Sequence, residues 1–387
     1  MDVSGSVSAA SWQFQRAFSG MYGSHSSMET SVVAHAPGFT LLENAYWKNH
    51  TWYFVTSRPW AFPELPMVMT NAPDYDEPAL FDDGVAKLVS LNEAELIGLD
   101  FNDVVAVEVY HLVGEMFLGA WRVYTSVLAN PFDVKSQWII QRVNTKSVLD
   151  QVPPINRFIF NHAPPDKVYD HGRLNKFFFD TVFPRIPLEF EDAWQERAES
   201  LKLFRFDMVT IADRWSGHRG HSPKPMDRAF QLPVPTNWVN DLKKRLLVDY
   251  RGPVSLKDPS HAKSKPVITY LSRQEAIHRR LRPEVHEELS AGLKVLEEEG
   301  LAEVNIEMFV DSDPKYDQVA KLSRTTIFVA LHGNGLTNLI YMTPDAYGRS
   351  AVYEIQQPGM FFDDYPILSK AVGTEHWIIG GRDPALE

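Results

Sequence analysis

The residues best suited to chemistry lie late in the chain. In LHGNGLTN (331–338) an apolar run, IFVAL (327–331), ends in a turn with two glycines and passes into LTNLIYM, a short helix by pattern. Strand, glycine turn and helix start together make an anion site. The glycines let the backbone fold sharply and approach a ligand, and free amides at the helix start favour negative charge. Thr337 and Asn338 add side-chain hydrogen bonds. A plain βα turn needs glycine too, so the motif alone leaves both readings open. A basic stretch adds weight to the first. Residues 261–282, HAKSKPVITYLSRQEAIHRRLR, carry six Lys or Arg against one Glu, inside a chain of net charge −12. Arg273 directly follows a strand pattern, and Arg279 and Arg280 come shortly after. Guanidinium forks suit pyrophosphate oxygens, whereas the bland reading of 279–282 is a solvated helix face. Earlier in the chain, His111 and Glu115 stand four residues apart in HLVGEMFLGAWRVYTSVL (111–128), on one face of a helix by pattern. Either can take a proton from a hydroxyl, or the pair simply stabilises its helix.

The elements that must position these residues follow from periodicity. From Pro266 onward strands alternate with helices. The strands are PVITYL, VNIEMFV (304–310), IFVAL, AVYEI (351–355) and HWII (376–379). The helices are PEVHEELSAGLKVLEEEG, with Val285, Leu289, Leu293 and Leu296 on one face, a second from Asp313-Pro314 to about Leu322, and a third over 363–372. Alternation of this kind predicts a parallel sheet covered on both faces, with ligands at the carboxyl ends of its strands. Arg273 and the 332–335 turn both fall at that edge. The first half is less regular. TWYFVTS (51–57), VVAVEVY (104–110) and RFIF (157–160) read as strands, 213–236 as a loop or linker, and 237–250 as a helix. The domain reading is a loose leader over 1–30, an N-terminal domain over 31–235 and a C-terminal domain over 236–387.

Bulk properties exclude several classes. The 387 residues are 44% hydrophobic and 23% charged, as in an ordinary globular protein. The net charge of −12 disfavours a nucleic-acid partner. Cysteine is absent, which removes disulfides, thiolate zinc sites and cysteine nucleophiles. The opening MDVSGSVSAASWQFQRAFSG has no apolar core of a signal peptide. The best candidate span, 104–129, contains Glu108, His111, Glu115 and Arg122, so it reads as buried protein. No anchor is visible. The sequon Asn49-His50-Thr51 leans toward a secretory lumen.

YLSRQEAIHRRL, followed by a hydrophilic helix and then by VALHGNGLTNLIYMTP and AVYEI, resembles the catalytic core of glycosyltransferase family 61. That family includes plant xylan-decorating transferases and animal O-linked N-acetylglucosamine transferases. The resemblance covers roughly 266–379, and VYHLVGEMFLGAWRVY is similar to the family's Tyr-His segment. Asn334 stands where alanine is usual, and Arg282-Pro283-Glu284 replaces a more usual Asn-Glu pairing. The resemblance implies an α/β GT-B enzyme: two Rossmann-like domains facing across a cleft, an inverting reaction, a UDP-sugar donor (N-acetylglucosamine, xylose or arabinose type), no obligatory metal or other cofactor, and a protein or glycan acceptor. It assigns pyrophosphate contact to Arg273 and Arg279. The turn His332, Gly333, Asn334 and Gly335, with Asn338, becomes the phosphate-facing loop, and Glu354 is assigned to ribose hydroxyls. Glu115 or His111 becomes the base. It also implies a Golgi or endoplasmic reticulum lumen, with membrane association only through an anchor.

Three rival readings remain. Asp311-Ser312-Asp313 fits a metal-dependent GT-A transferase, although Asp313-Pro314 also starts a helix. A serine hydrolase using HGNG as an oxyanion loop needs a Gly-x-Ser-x-Gly elbow, which the chain lacks. A non-catalytic nucleotide- or glycan-binding relative would keep the same fold.

Overall fold

The computed structural model describes residues 28–70, 84–90, 112–129, 147–161, 163–169, 173–219, 224–246, 265–276, 279–309, 313–344 and 348–380. The strand expected at 104–110, His111, Asp311 and nearly all of the expected leader lie outside the described residues. The protein is mixed α/β with several sheets. It divides into two compact units, Met1–Val168 with Arg185–Trp238, and Tyr169–Pro184 with Val239–Glu387. The sequence reading placed a single boundary between 235 and 236. The second unit, however, also takes in a segment from the first half.

In the N-terminal unit the strands are β1 (Ser31–Ala36), β2 (Phe39–Lys48), β3 (Thr51–Val55), β4 (Ala86–Val89), β5 (Phe158–Ile159), β6 (Leu188–Glu189) and β7 (Phe204–Ala212). β2 is central. β1 and β3 pair with its successive halves and β7 runs along its other edge, all antiparallel, while β4 joins β3 in parallel. β5 and β6 form a separate parallel pair. The described sheet is therefore largely antiparallel, not the parallel sheet expected of a Rossmann-like domain. The cause is local. Asn49 and His50 have φ of 47° and 62°, as a two-residue hairpin turn requires, and such a turn joins only antiparallel strands. The sequon thus sits on an exposed hairpin. Trp47, Trp52, Trp194 and Phe206 fill the core beneath, with Trp47 and Trp194 4.2 Å apart between ring centres. Burying each such side chain stabilises the unit by roughly 1.5–3 kcal/mol.

The stretch 213–236, expected as a loop, holds helices Arg214–Arg219 and Asp227–Phe230. Asp213 starts the first. Its buried carboxylate accepts the backbone N–H of Ser216 at 2.8 Å and of Thr70 at 2.7 Å, and burial raises its proton affinity. Gly38 makes this packing possible. It has φ +79°, and a Cβ there would lie 2.3 Å from the Gly217 nitrogen and 2.4 Å from the Asp213 carbonyl oxygen. Gly38→Ala should therefore cost roughly 2–4 kcal/mol, summing left-handed strain and overpacking. Urea unfolding of the full chain measures this, and a loss under about 1 kcal/mol would mean the segment moves aside freely.

The C-terminal unit holds β8 (Val267–Leu271), β9 (Glu303–Glu307), β10 (Ile327–Leu331), β11 (Ala351–Gln356) and β12 (Glu375–Gly380). All pairings are parallel, in the order β12-β11-β10-β8-β9. Every strand expected here is present. Counted from β8, this is the doubly wound order in which the direction of winding reverses between β8 and β10. Helix Pro283–Glu298 packs Leu289, Leu293 and Leu296 onto Ile268, Tyr270, Val329 and Leu331. On the opposite face Thr269 meets Thr325 at 2.6 Å between hydroxyls. Helix Leu174–Val182, from the inserted segment, packs with helix Asn240–Leu246, and Arg245 donates to the Val182 carbonyl at 2.7 Å. No described helix is long and apolar enough to cross a membrane.

Candidate functional site

The winding of the C-terminal sheet reverses between β8 and β10, and a doubly wound sheet opens its ligand crevice at the carboxyl ends of two such strands. Ala330 on β10 is level with Leu271 on β8. Arg273 therefore leaves the sheet beside the turn that begins at His332. Gly333, with φ +144°, sits at the centre of this crevice. A Cβ on it would lie 2.7 Å from Nη1 of Arg273 and 3.3 Å from Nη1 of Arg279. The space a side chain would occupy is filled by two guanidinium groups.

Two like charges have been brought onto one glycine, and among the described residues neither meets a carboxylate at ion-pair distance. Burial, and then the neighbouring Arg279 charge, push the Arg273 guanidinium below its ordinary proton affinity, while Tyr365 pulls the other way. Nε of Arg273 is buried with no hydrogen-bond partner. Arg279 adopts φ 55°, a left-handed conformation that costs a non-glycine residue about 1–2 kcal/mol. Clustered, unneutralised cations with an unmet donor and local backbone strain are what an anion would relieve.

The turn itself is braced from within. Leu336 N–H donates to the Gly333 carbonyl at 2.9 Å, and Thr337 donates its hydroxyl to Asn334 Oδ1 at 3.2 Å. Gly335 is needed for close approach, since a Cβ there would lie 2.8 Å from Leu271 Cδ2. The helix that follows, Asn334–Tyr341, is 3₁₀. Asn338, assigned to the ligand from sequence, is buried and occupied. Its Nδ2 donates to Gly335 O at 2.9 Å and its Oδ1 accepts from Gln318 at 3.3 Å. It shapes the turn. At the far end, the buried Lys243 donates to the Met342 carbonyl at 3.0 Å, where this helix stops.

Glu354 is placed differently from the ribose contact assigned to it. It is 0% exposed at the carboxyl end of β11. One oxygen meets His332 Nδ1 at 2.5 Å and the other meets His376 Nε2 at 2.9 Å. A carboxylate only accepts, so both imidazoles present N–H to it. His376 Nδ1 in turn meets the Ser369 hydroxyl at 2.8 Å. The His332 ring stacks on Phe362 with 4.4 Å between centres and meets Tyr365 edge-on at 5.6 Å. His376, Ser369, Phe362 and Tyr365 were missed in the sequence. An acidic residue one strand over from the histidine turn was the available signal.

Glu115, the other candidate for chemistry, lies in the N-terminal unit. The expected helix opens as a π-helical segment, Leu112–Phe117, and becomes α over Leu118–Ser126. π segments accompany functional sites more often than chance. The Glu115 carboxylate accepts from Arg214 Nε at 3.2 Å, and the Asp213 cap fixes the helix that carries Arg214. Both side chains are largely shielded.

The structure thus gathers Arg273, Arg279, His332, Gly333, Asn334 and Gly335 at one sheet edge, with Asn338 and Glu354 behind them. No protein-family model matches the chain, and no curated protein matches it.

Proposed function

We propose that this protein is an inverting glycosyltransferase, moving a sugar from a UDP-sugar donor to a hydroxyl of a protein or glycan. The observation that carries the reading is the pair of unneutralised guanidiniums, Arg273 and Arg279, over Gly333 at the point where the sheet's winding reverses. That arrangement suits a diphosphate. In the proposed reaction a base takes the acceptor proton, the acceptor oxygen attacks the anomeric carbon, and the carbon–oxygen bond to UDP breaks. The negative charge that develops on the departing diphosphate is met by the two arginines. Glu115 is the candidate base. The donor sugar class and a Golgi or endoplasmic reticulum setting rest on the family resemblance, as does transfer without an obligatory metal.

The test is a panel of UDP-sugars on the full chain, read by UDP release with and without chelator. Release from at least one donor, retained in chelator, is the expected result. Dependence on manganese would instead favour the Asp311–Asp313 reading. On the productive donor, Glu115→Gln should lower turnover by a hundredfold or more, as loss of a general base typically does, with UDP affinity within about twofold. Because this variant removes the negative charge opposite Arg214, Arg214→Gln serves as the control. If Glu115→Gln falls no further than Arg214→Gln, the base lies elsewhere.

A further inference from the structure

The buried groups Ser369, His376 and Glu354 have no part in holding a diphosphate, yet they form a chain that ends on His332, at the site. Its three contacts of 2.8, 2.9 and 2.5 Å run from helix Asp364–Val372, across β12 and β11, to the turn after β10. Ser369 and Glu354 are both 0% exposed. A carboxylate so deeply buried is costly unless opposite charge is shared with it. Among the described residues, only the two imidazoles are bonded to it. His332 is held rigidly, by Glu354 at Nδ1, by Phe362 against the ring face and by a backbone bond from its N–H to Ile355 O at 2.9 Å. Its Nε2 finds no partner among the described residues and is not among the buried unpartnered atoms, so it is the ring atom open to a ligand. The side chain keeps 16% of its surface open. The other titratable groups facing this ring are Tyr365 at its edge and the guanidiniums of Arg273 and Arg279 over the next residue.

We propose that His332 is the general acid toward the departing diphosphate, and that Glu354, His376 and Ser369 are positioning residues that keep it charged and aligned. This rests on the glycosyltransferase reading. As the anomeric carbon–oxygen bond breaks, its electron pair stays on the diphosphate oxygen, and the Nε2 proton of imidazolium His332 moves to that oxygen. Neutral His332 keeps its Nδ1–H on Glu354, and solvent returns the Nε2 proton after UDP leaves. A neighbouring carboxylate favours the imidazolium, while two arginines oppose it. The carboxylate is in direct contact, and a bound diphosphate neutralises the arginines.

The first experiment needs no turnover. Histidine resonances of the full-length, ¹⁵N-His-labelled protein are titrated with and without inorganic pyrophosphate. His332 should hold its proton at least tenfold more tightly with pyrophosphate bound, and Glu354→Gln should reduce that proton affinity by a similar factor. In the second experiment, turnover on the productive donor should fall as pH rises through the His332 titration. His376→Gln should shift that limb with KM within about twofold, and Ser369→Ala should shift it less in the same direction. His332→Gln should abolish it. If pyrophosphate fails to bind at all, both the donor site and this assignment fall. If pyrophosphate binds through Arg273 but His332 does not respond, this assignment alone is overturned. A limb that stays in place in folded His376→Gln and Ser369→Ala would reduce the chain to a structural role.

Discussion

Replacing Arg273 by alanine should weaken UDP binding roughly tenfold to a hundredfold, the loss of one charge-assisted bond worth on the order of 1.5–3 kcal/mol. Stability should move in the opposite sense. In the free protein Arg273 has a buried Nε without a partner and lies beside Arg279, so removing it relieves both. The thermal midpoint of Arg273→Ala without ligand should be unchanged or slightly higher. Gly333→Ala is the companion variant. It forces a methyl into the space of two guanidiniums at a backbone angle that alanine rarely adopts, and it should drop UDP binding below detection. Calorimetry with UDP on variants shown to be folded by circular dichroism checks both. Unchanged affinity in Arg273→Ala would place the diphosphate elsewhere.

The second large effect concerns Lys243. It is buried, and burial lowers its pKa from 10.5 to about 8. A lysine whose folded pKa lies below its unfolded value destabilises the fold wherever both states are protonated. Here that is below about pH 8. As pH rises from about 8 to 10.5 the folded state is neutral while the unfolded chain still binds a proton, so the penalty fades. The full difference corresponds to roughly 3 kcal/mol. Lys243→Met removes the penalty but leaves the Met342 carbonyl unmet, at a cost of about 1 kcal/mol or more. The variant should be about 1–2 kcal/mol more stable than the parent at pH 7, with that advantage gone or reversed by pH 10.5. Urea titrations at several pH values decide this, and parallel curves for the two proteins would mean the ammonium is solvated. A gain in stability should come with weaker UDP binding, because Lys243 pins the end of the helix that begins at Asn334.

The C-terminal sheet was legible because each βα repeat carries its own signal. Leu289, Leu293 and Leu296 mark a helix face, Gly300 with φ +72° ends that helix, and IFVAL is a buried parallel strand on composition alone. The positions of Arg273 and the 332–335 turn followed from strand ends. The N-terminal unit gave less. β2 and β7 are buried along most of their length despite Glu43, Asn44, Arg205 and Asp207 within them, and they pair from far apart in sequence, so no local pattern marked them. Helix Arg214–Arg219 depends on Asp213, whose partner Thr70 is far away in sequence, and no local pattern encodes that bond. The same holds at the site. Glu354 was seen as an acidic strand end, but its burial between His332 and His376 comes from strand pairing and from helix Asp364–Val372. The left-handed backbone of Arg279 left no trace in composition.

The inserted segment Tyr169–Pro184 bears on how this chain can be taken apart. The C-terminal unit is not a cassette that begins after a linker and runs to the end. One of its helices, Leu174–Val182, is encoded in the first half, and Phe178, Phe179 and Val182 are all buried there. A gene fragment cut near residue 236 would leave the partner face on Asn240–Leu246 bare, and Arg245 would lose the Val182 carbonyl. Shuffling of these units between relatives, by recombination or at the bench, therefore has to move two stretches of sequence together. A single crossover would yield a C-terminal half with an open, sticky flank.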